Sequence, residues 1–336
     1  MKQDCITIDH GSGGRLSHEL TCKIMLPAFS SQALNRLDDS AVIDSKAGKM
    51  AFSTDSFVVD PLFFPGGSIG GLAVNGTVND IAMSGAVPLY LTAGLIIEEG
   101  FLISDLEKII NSMAEAARRA GVKIVAGDTK VVPRGAADKI FINTSGIGWI
   151  PEGIEISGAN ARAGDCVIIS GTMADHGMTI LNQREGLSFE AGIRSDTAAL
   201  NSMVANLLSK CPAVRVLRDP TRGGVATTLN EIAMQSGVGI RIAETALPVK
   251  KQVAGLCELL GIDPLYVANE GKLIAIADKA DADTALSAIK QNPLGADACI
   301  IGEVVSDHPG RLVVETSIGG RRIADMLTGE QLPRIC

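Results

Sequence analysis

Five stretches in the first half of the chain carry apolar residues in alternation or in near-continuous runs: 5–9, 50–60, 89–98, 122–132 and 139–149. They read as β-strands. Between them, 15–27, 68–83 and 104–120 read as helices. The last is the clearest, with Leu106, Ile109, Ile110, Met113 and Ala117 at helical spacing and Ser104 placed as an N-cap. Several of these strands are about twice the usual five or six residues. Long apolar strands with few edge defences predict a sheet that pairs with a second copy of the chain.

The segment 149–165, WIPEGIEISGANARAGD, is rich in Gly and Pro and predicts a domain boundary. A second α/β unit follows, with strands at 166–170, 214–217, 271–277 and 298–305 and helices at 175–183, at 196–209 and from Thr221. The closing GEQLPRIC has little periodicity and reads as a flexible tail. The expected organisation is an N-terminal domain over 1–155, a C-terminal α/β domain over 156–328 and a tail over 329–336.

Composition narrows the function. The chain has 336 residues, 46% hydrophobic and 20% charged, enough to build a sizeable core and incompatible with intrinsic disorder. Lys and Arg number 30 against 38 Asp and Glu, a net charge of −8 with no basic run, which argues against nucleic-acid and membrane-surface partners. Aromatics at 3% are too few for base-stacking platforms. No apolar run approaches the roughly 18–20 residues of a membrane span, and MKQDCITIDH lacks the features of a signal peptide. A soluble, cytoplasmic protein is expected. Seven cysteines without a CxxC pair argue against zinc-ribbon, redox and iron–sulfur sites and predict free thiols, with Cys166 and Cys299 buried in apolar runs.

No P-loop or GxGxxG signature is present. Carboxylates are instead scattered in short Gly- or Asn-containing settings: Asp38 and Asp39 in LDDSAV, Asp55 in STDSFVV, Asp80 in NGTVNDIAMSGA and Asp128 in AGDTKVV. Mg²⁺ is usually shared between a few carboxylates and substrate phosphates, and spread aspartates can assemble such a site. Each alone reads equally as a turn or cap residue. Asn75 and Asn79 fall on one helical face in an otherwise apolar helix and need partners, which a nucleotide or an internal polar cluster would supply. His10, Gly11, Ser12 and Gly13 precede a helix start and would cradle phosphate, or form a plain Gly loop. Asp219 and Thr221 lie in DPTRGGV, where capping explains both and Arg222 would meet phosphate or a carboxylate. Lys130 shares a strand face with Asp128. Glu270 begins an apolar strand, where an acid is costly unless used or paired.

The set HGSGG, LDDSAV, STDSFVVDPLFFPGGSIGGLAVNGTVNDIAMSGA, AGDTKVV, INTSGIG, RDPTRGGV, ANEGKL and a closing PRIC resembles the HypE family of hydrogenase maturation proteins along the whole chain. That family belongs to an ATP-dependent superfamily with aminoimidazole ribonucleotide synthetase, selenophosphate synthetase and thiamine monophosphate kinase. The aspartate pattern is common to the superfamily; PRIC is what discriminates. The resemblance implies a two-domain α/β (α+β) fold of the aminoimidazole-ribonucleotide-synthetase type. Its N-terminal sheets would pair into a dimeric β-barrel with ATP near that interface, and its C-terminal mixed sheet would carry flanking helices. It implies that Cys336 receives a carbamoyl group from the carbamoyltransferase HypF. The carbamoyl is then dehydrated with ATP to a thiocyanate, and the cyano group passes to iron on a HypC–HypD complex as a ligand of [NiFe]-hydrogenase.

The resemblance further implies roles. Asp55, Asp80 and Asp128 would bind Mg²⁺, with Asp38 or Asp39 as an added ligand or water anchor. His10, Gly11, Ser12, Gly13, Asp55, Asn75, Asn79 and Asp219 would bind ATP. Lys130 would neutralise the transferring phosphate or orient the carbamoyl, and Glu270 would take the nitrogen-bound proton. A tail of eight residues spans roughly 25 Å when extended, enough to present Cys336 outward to proteins and inward to ATP. Two other readings stand beside this one. The first is another ATP-dependent kinase or synthetase of the superfamily; the selenium branch lacks its reactive Cys and Lys here, and a thiamine monophosphate kinase leaves PRIC unexplained. The second is a non-catalytic nucleotide-binding scaffold.

Overall fold

The computed structural model describes residues 5–12, 15–37, 40–41, 43–44, 47–186, 192–327 and 334–336. After a 3₁₀ turn at Ile8–Gly11, a helical segment runs through α1 (Arg15–Leu20), a π-turn (Thr21–Met25) and α2 (Leu26–Phe29). Strand β1 (Lys49–Phe57) leads to a short hairpin, β2 (Phe63–Phe64) and β3 (Gly67–Ser68). Then come α3 (Ile69–Met83), β4 (Val87–Glu98), α4 (Ile103–Ala120), β5 (Lys123–Val132) and β6 (Ile140–Ile150). These strands make a four-stranded sheet of order β1-β6-β4-β5.

Helix α3 covers one face of that sheet and packs on α4. It does so closely because it carries small residues: a Cβ on Gly70 would collide with the Ile109 carbonyl of α4. Ile69, Leu72, Val78, Leu106, Ile109, Ile110 and Met113 form the core between them. The opposite face is open. Met50, Phe52, Val87 and Ile96 are 58%, 75%, 46% and 44% exposed there, so among the described residues this apolar face is uncovered.

The chain leaves this sheet after Ile150 and enters the second with β7 (Cys166–Ile169). There follow α5 (Asp175–Arg184), α6 (Asn201–Lys210), β8 (Val216–Arg218), α7 (Gly224–Ser236), β9 (Gly239–Ala243), α8 (Lys251–Leu260), β10 (Ile274–Ala277) and α9 (Ala282–Lys290). The chain closes with β11 (Cys299–Val305), β12 (Leu312–Glu315) and β13 (Arg321–Ala324). The seven strands form a mixed sheet of order β13-β12-β9-β11-β7-β10-β8, antiparallel except where β12 runs parallel to β9. Helix α7 lies on one face and α6 with α9 on the other.

Several expectations are corrected. Residues 5–9 form no strand; Cys5 makes a single bridge to Leu102, and the polar Thr7 and His10 turn the chain into the 3₁₀ segment. Ser104 does not cap α4, whose N-cap is Leu102. Thr221 does not cap α7, which starts at Gly223 in a left-handed conformation. The helix expected from Asp196 begins at Asn201, because 195–200 is held outside regular structure by partners in α3 and before β10. Cys166 and Cys299 are half-buried rather than buried. Three residues of the tail expected to be flexible, Arg334 to Cys336, are seated against the end of β1.

Candidate active site

Residue Asp55 lies on β1 and Asp80 on α3, both on the covered side of the N-terminal sheet. Asp80 accepts a hydrogen bond from Ser53 Oγ at 2.8 Å, and the Asp55 carboxylate approaches Gly76 of α3. The start of the C-terminal sheet delivers two more acids. Asp219 follows β8, and Glu270 lies in the segment before β10. Charge on the N-terminal acids reaches the two from the C-terminal sheet. Burial pushes Asp55 and Asp80 up, and Asp80 is raised further by Asp55. Asp219 is pushed up to about 7, by burial first and by Asp80 next. Glu270 is raised well above the carboxylate range by burial and then by Asp196, Asp219, Asp55 and Asp80. Arg218 and Arg222 offset this only in part.

A cluster of acids that raise one another is short of positive charge. Among the described residues no three His, Cys, Asp or Glu side chains converge tightly enough to enclose a metal ion. Mg²⁺ needs no such cage, because it keeps waters and phosphate oxygens and takes only one or two carboxylates from the protein. The donor set of hard, charge-deficient carboxylates therefore fits Mg²⁺ carried with a nucleotide. Asp38, Asp39 and Gly13 lie outside the described residues.

Beneath Glu270 sits a residue that sequence reasoning missed. Asp196 accepts from the main-chain N–H groups of Glu270 and Gly271 at 3.2 and 3.3 Å and from Lys272 Nζ at 3.1 Å. Although buried, its carboxyl is held below the usual range by Lys272 and the Glu270 N–H. It fixes the backbone that carries Glu270.

Both asparagines make hydrogen bonds to the segment around 197–200. Asn79 donates to the Ala198 and Glu270 carbonyls and accepts from Leu200 N–H at 2.8 Å, and Asn75 donates to Thr197 Oγ1 at 3.2 Å. They stitch α3 to the C-terminal domain, so the internal polar cluster, at a domain contact, is the reading that fits. His10 is likewise spent on its own turn. It is buried, with Nδ1 at 3.0 Å from the Thr7 N–H and 2.9 Å from Thr7 Oγ1. Gly11 presses on Val131 of β5 so closely that a Cβ would collide with that backbone, and Ser12 Oγ donates to the Asp9 carbonyl.

That turn lies beside the last element of the site. Asp128 and Lys130 share one face of β5, exposed and 3.2 Å apart. The sheet register separates them from Asp55. Asp55 pairs with Thr144, then Ala93, then Gly127, so Asp128 sits one residue on and faces the open side. Three strand spacings put β5 about 14 Å from β1. One chain therefore does not bring Asp128 to the same metal as Asp55 and Asp80, a correction to the expected single cluster.

Three comparisons place the chain. Residues 37–150 match the AIR synthase related protein N-terminal domain and 162–315 the corresponding C-terminal domain. Carbamoyl dehydratase HypE of Cupriavidus necator is 55% identical over 100% of this chain and 96% of its own, and that of Escherichia coli 48% identical over 98% and 99%. The chain belongs to the HypE family. A crystal structure of hydrogenase maturation protein HypE in complex with ATP superposes with a TM-score of 0.95 at 53% identity, covering 98% of this chain and 99% of that one. The HypE–HypF complex contains a chain that superposes with a TM-score of 0.81 at 51% identity, covering 94% of this chain and 100% of that one. A thiamine monophosphate kinase from Aquifex aeolicus, at 21% identity and a TM-score of 0.61, shares the fold alone.

Proposed function

We propose that the protein dehydrates a carbamoyl group carried on Cys336 to a thiocyanate, using ATP, at the acidic cluster between its two domains. The protein is a carbamoyl dehydratase of hydrogenase maturation, and the observation that carries the site assignment is the raising of Asp80, Asp219 and Glu270 by burial and by their acidic neighbours, Asp55 among them.

The carbamoyl oxygen is a poor leaving group. Phosphorylation of that oxygen makes it a good one, and removal of the nitrogen-bound protons then expels phosphate and leaves the nitrile. Phosphoryl transfer asks for positioning and charge neutralisation more than covalent chemistry. Asp55 and Asp80 would hold Mg²⁺, with Asp219 beside them. When bound, Mg²⁺ supplies charge neutralisation on the transferring phosphoryl group. Glu270 would take the nitrogen proton. Its raised pKa makes the ionised carboxylate a stronger base, and Asp196 holds its backbone in place.

Asp128, Lys130 and the His10–Ser12 turn join this site if a second copy closes the open face of the sheet. The exposed apolar residues Met50, Phe52, Val87 and Ile96 support such a homodimer, since a face of that character is costly in water. Lys130 would then meet phosphate or carbamoyl oxygen across the interface. HypF would load the carbamoyl group, and a HypC–HypD complex would receive the cyano group. Among the described residues no helix is long and apolar enough to cross a membrane, which agrees with a cytoplasmic site of action.

The test is single-turnover dehydration of carbamoylated protein with Glu270→Gln. Carbamoyl loading is expected to be unchanged and dehydration slowed by on the order of 10²–10⁴-fold. Dehydration at the wild-type rate would remove Glu270 from the role of base.

A further inference from the structure

Residues Arg334 to Cys336 are gripped mainly by their main chain. The Val58 N–H donates to the Cys336 main-chain oxygen at 3.0 Å and the Asp60 N–H to the Arg334 carbonyl at 3.1 Å, so the segment lies along the outgoing end of β1 like an added strand. Two side chains of α5 complete the grip. Arg184 Nη2 donates to the Arg334 carbonyl and to the Asp60 carbonyl, each at 2.7 Å. His176 places Nε2 at 2.5 Å from the Ile335 carbonyl. The Ile335 side chain is 6% exposed and sits in the core of the N-terminal sheet. Arg334 Nε donates to the Val58 carbonyl at 2.9 Å, and its guanidinium pairs with Asp138.

The histidine is set up for this one contact. It is wholly buried, with the Phe64 ring edge-on at a centroid distance of 5.5 Å. A carbonyl only accepts, so Nε2 carries the hydrogen, and Nδ1 accepts from the Ser195 hydroxyl at 2.7 Å. Burial holds the ring neutral, the state this bond pattern requires. When Ile335 departs, the Nε2–H is left in an apolar pocket with its bond unmade, which disfavours the empty seat. Ser195 is followed by Asp196, which holds the Glu270 backbone, so the seat and the proposed base hang on adjacent residues of one segment.

We propose that His176 and Arg184 are positioning residues that seat the tail inward for dehydration. Their hydrogen bonds to the tail fall on the main-chain carbonyls of Arg334 and Ile335, which the thiol, the carbamoylated and the cyanated forms share. This rests on the carrier reading of Cys336, but the seat itself is testable without it.

The experiment is alkylation of the full-length protein by iodoacetamide, with the modified cysteines mapped by peptide mass and Cys22 as internal reference. His176→Leu and Arg184→Met are expected to raise the Cys336 rate about fivefold per lost hydrogen bond relative to Cys22. His176→Gln and Arg184→Lys, which keep a donor, are expected to restore part of the protection. In carbamoylated protein the Leu and Met variants should slow dehydration while carbamoyl loading and ATP affinity stay unchanged. A folded Arg184→Met protein alkylated at the wild-type rate would overturn the proposal, even if His176→Leu failed to fold. So would a joint loss of ATP affinity and dehydration without any change in alkylation. Faster alkylation together with no dehydration in the wild type would uphold the seat and sink the carrier reading instead.

Discussion

Asp80 and Asp128 are the same side chain in opposite settings. Asp80 is packed between α3 and β1, bonded to Ser53 and raised by burial and by Asp55. Asp128 stands in solvent on the open face of β5 and offsets its charge with Lys130. The first half of the site is preassembled: core packing of α3 and the α3–C-terminal stitching by Asn75 and Asn79 hold its acids together against their repulsion. Among the described residues nothing covers the proposed second half. Function that depends on both halves depends on a surface that one chain leaves uncovered.

The largest effects should come from breaking each half separately. Asp80→Asn and Asp128→Asn are each expected to lower Mg²⁺-dependent nucleotide turnover by roughly 10²-fold or more, since each removes a full charge from a site built on charge. Mixed together and re-equilibrated, the two inactive variants should regain about a quarter of wild-type turnover. Half of the dimers are then mixed, and one of their two sites is intact. No recovery on mixing, with exchange of subunits verified by native mass spectrometry, would place Asp80 and Asp128 in one chain's site and end the two-half account. A smaller effect tests the cover itself. Phe52, at 75% exposure, should lie within the closed face, so Phe52→Asp is expected to shift micromolar protein from dimer to monomer by light scattering while leaving the circular dichroism spectrum unchanged.

Much of this architecture was legible in the chain. The stripe Leu106, Ile109, Ile110, Met113 gives α4, and the long apolar runs give β1, β4, β5 and β6, because half-buried sheets and amphipathic helices write their period into the sequence. Legibility failed where tertiary contacts overrode local pattern. SDTAAL looks like the start of a helix, yet Ser195 to Ala198 stay out of it, because their polar groups are taken up by His176, Glu270 and α3. Asp55 and Asp80 were visible as acids in short Gly- or Asn-containing settings, and Glu270 as an acid at the start of an apolar strand. Asp196 and His176 were not, since an acid before a helix and a histidine inside one are ordinary until their partners, distant in sequence, are known. The separation of Asp128 from Asp55 is a matter of register, which alternation alone does not fix between strands.

The smallest effect concerns pH. Asp219 titrates near 7 when folded and in the ordinary carboxylate range when unfolded. Between those values the folded protein holds the extra proton, so this group's contribution falls as pH rises through that window. In nucleotide-free protein with chelator present, Asp219→Asn should therefore flatten the decline of Tm between about pH 5 and pH 7.5 relative to wild type. An unchanged slope would mean that Asp219 is not held among uncompensated acids.

The central claim is that Cys336 carries the group that this acidic site transforms, and intact-mass analysis with peptide mapping tests it most directly. Protein carbamoylated by HypF, then given ATP and Mg²⁺, should lose the mass of one water, with the change confined to the peptide ending in Cys336. Cys336→Ala should bind ATP yet show neither modification. A carbamoyl group found on Cys5, Cys22, Cys166, Cys211, Cys257 or Cys299, or thiocyanate formed by the Cys336→Ala protein, would contradict it.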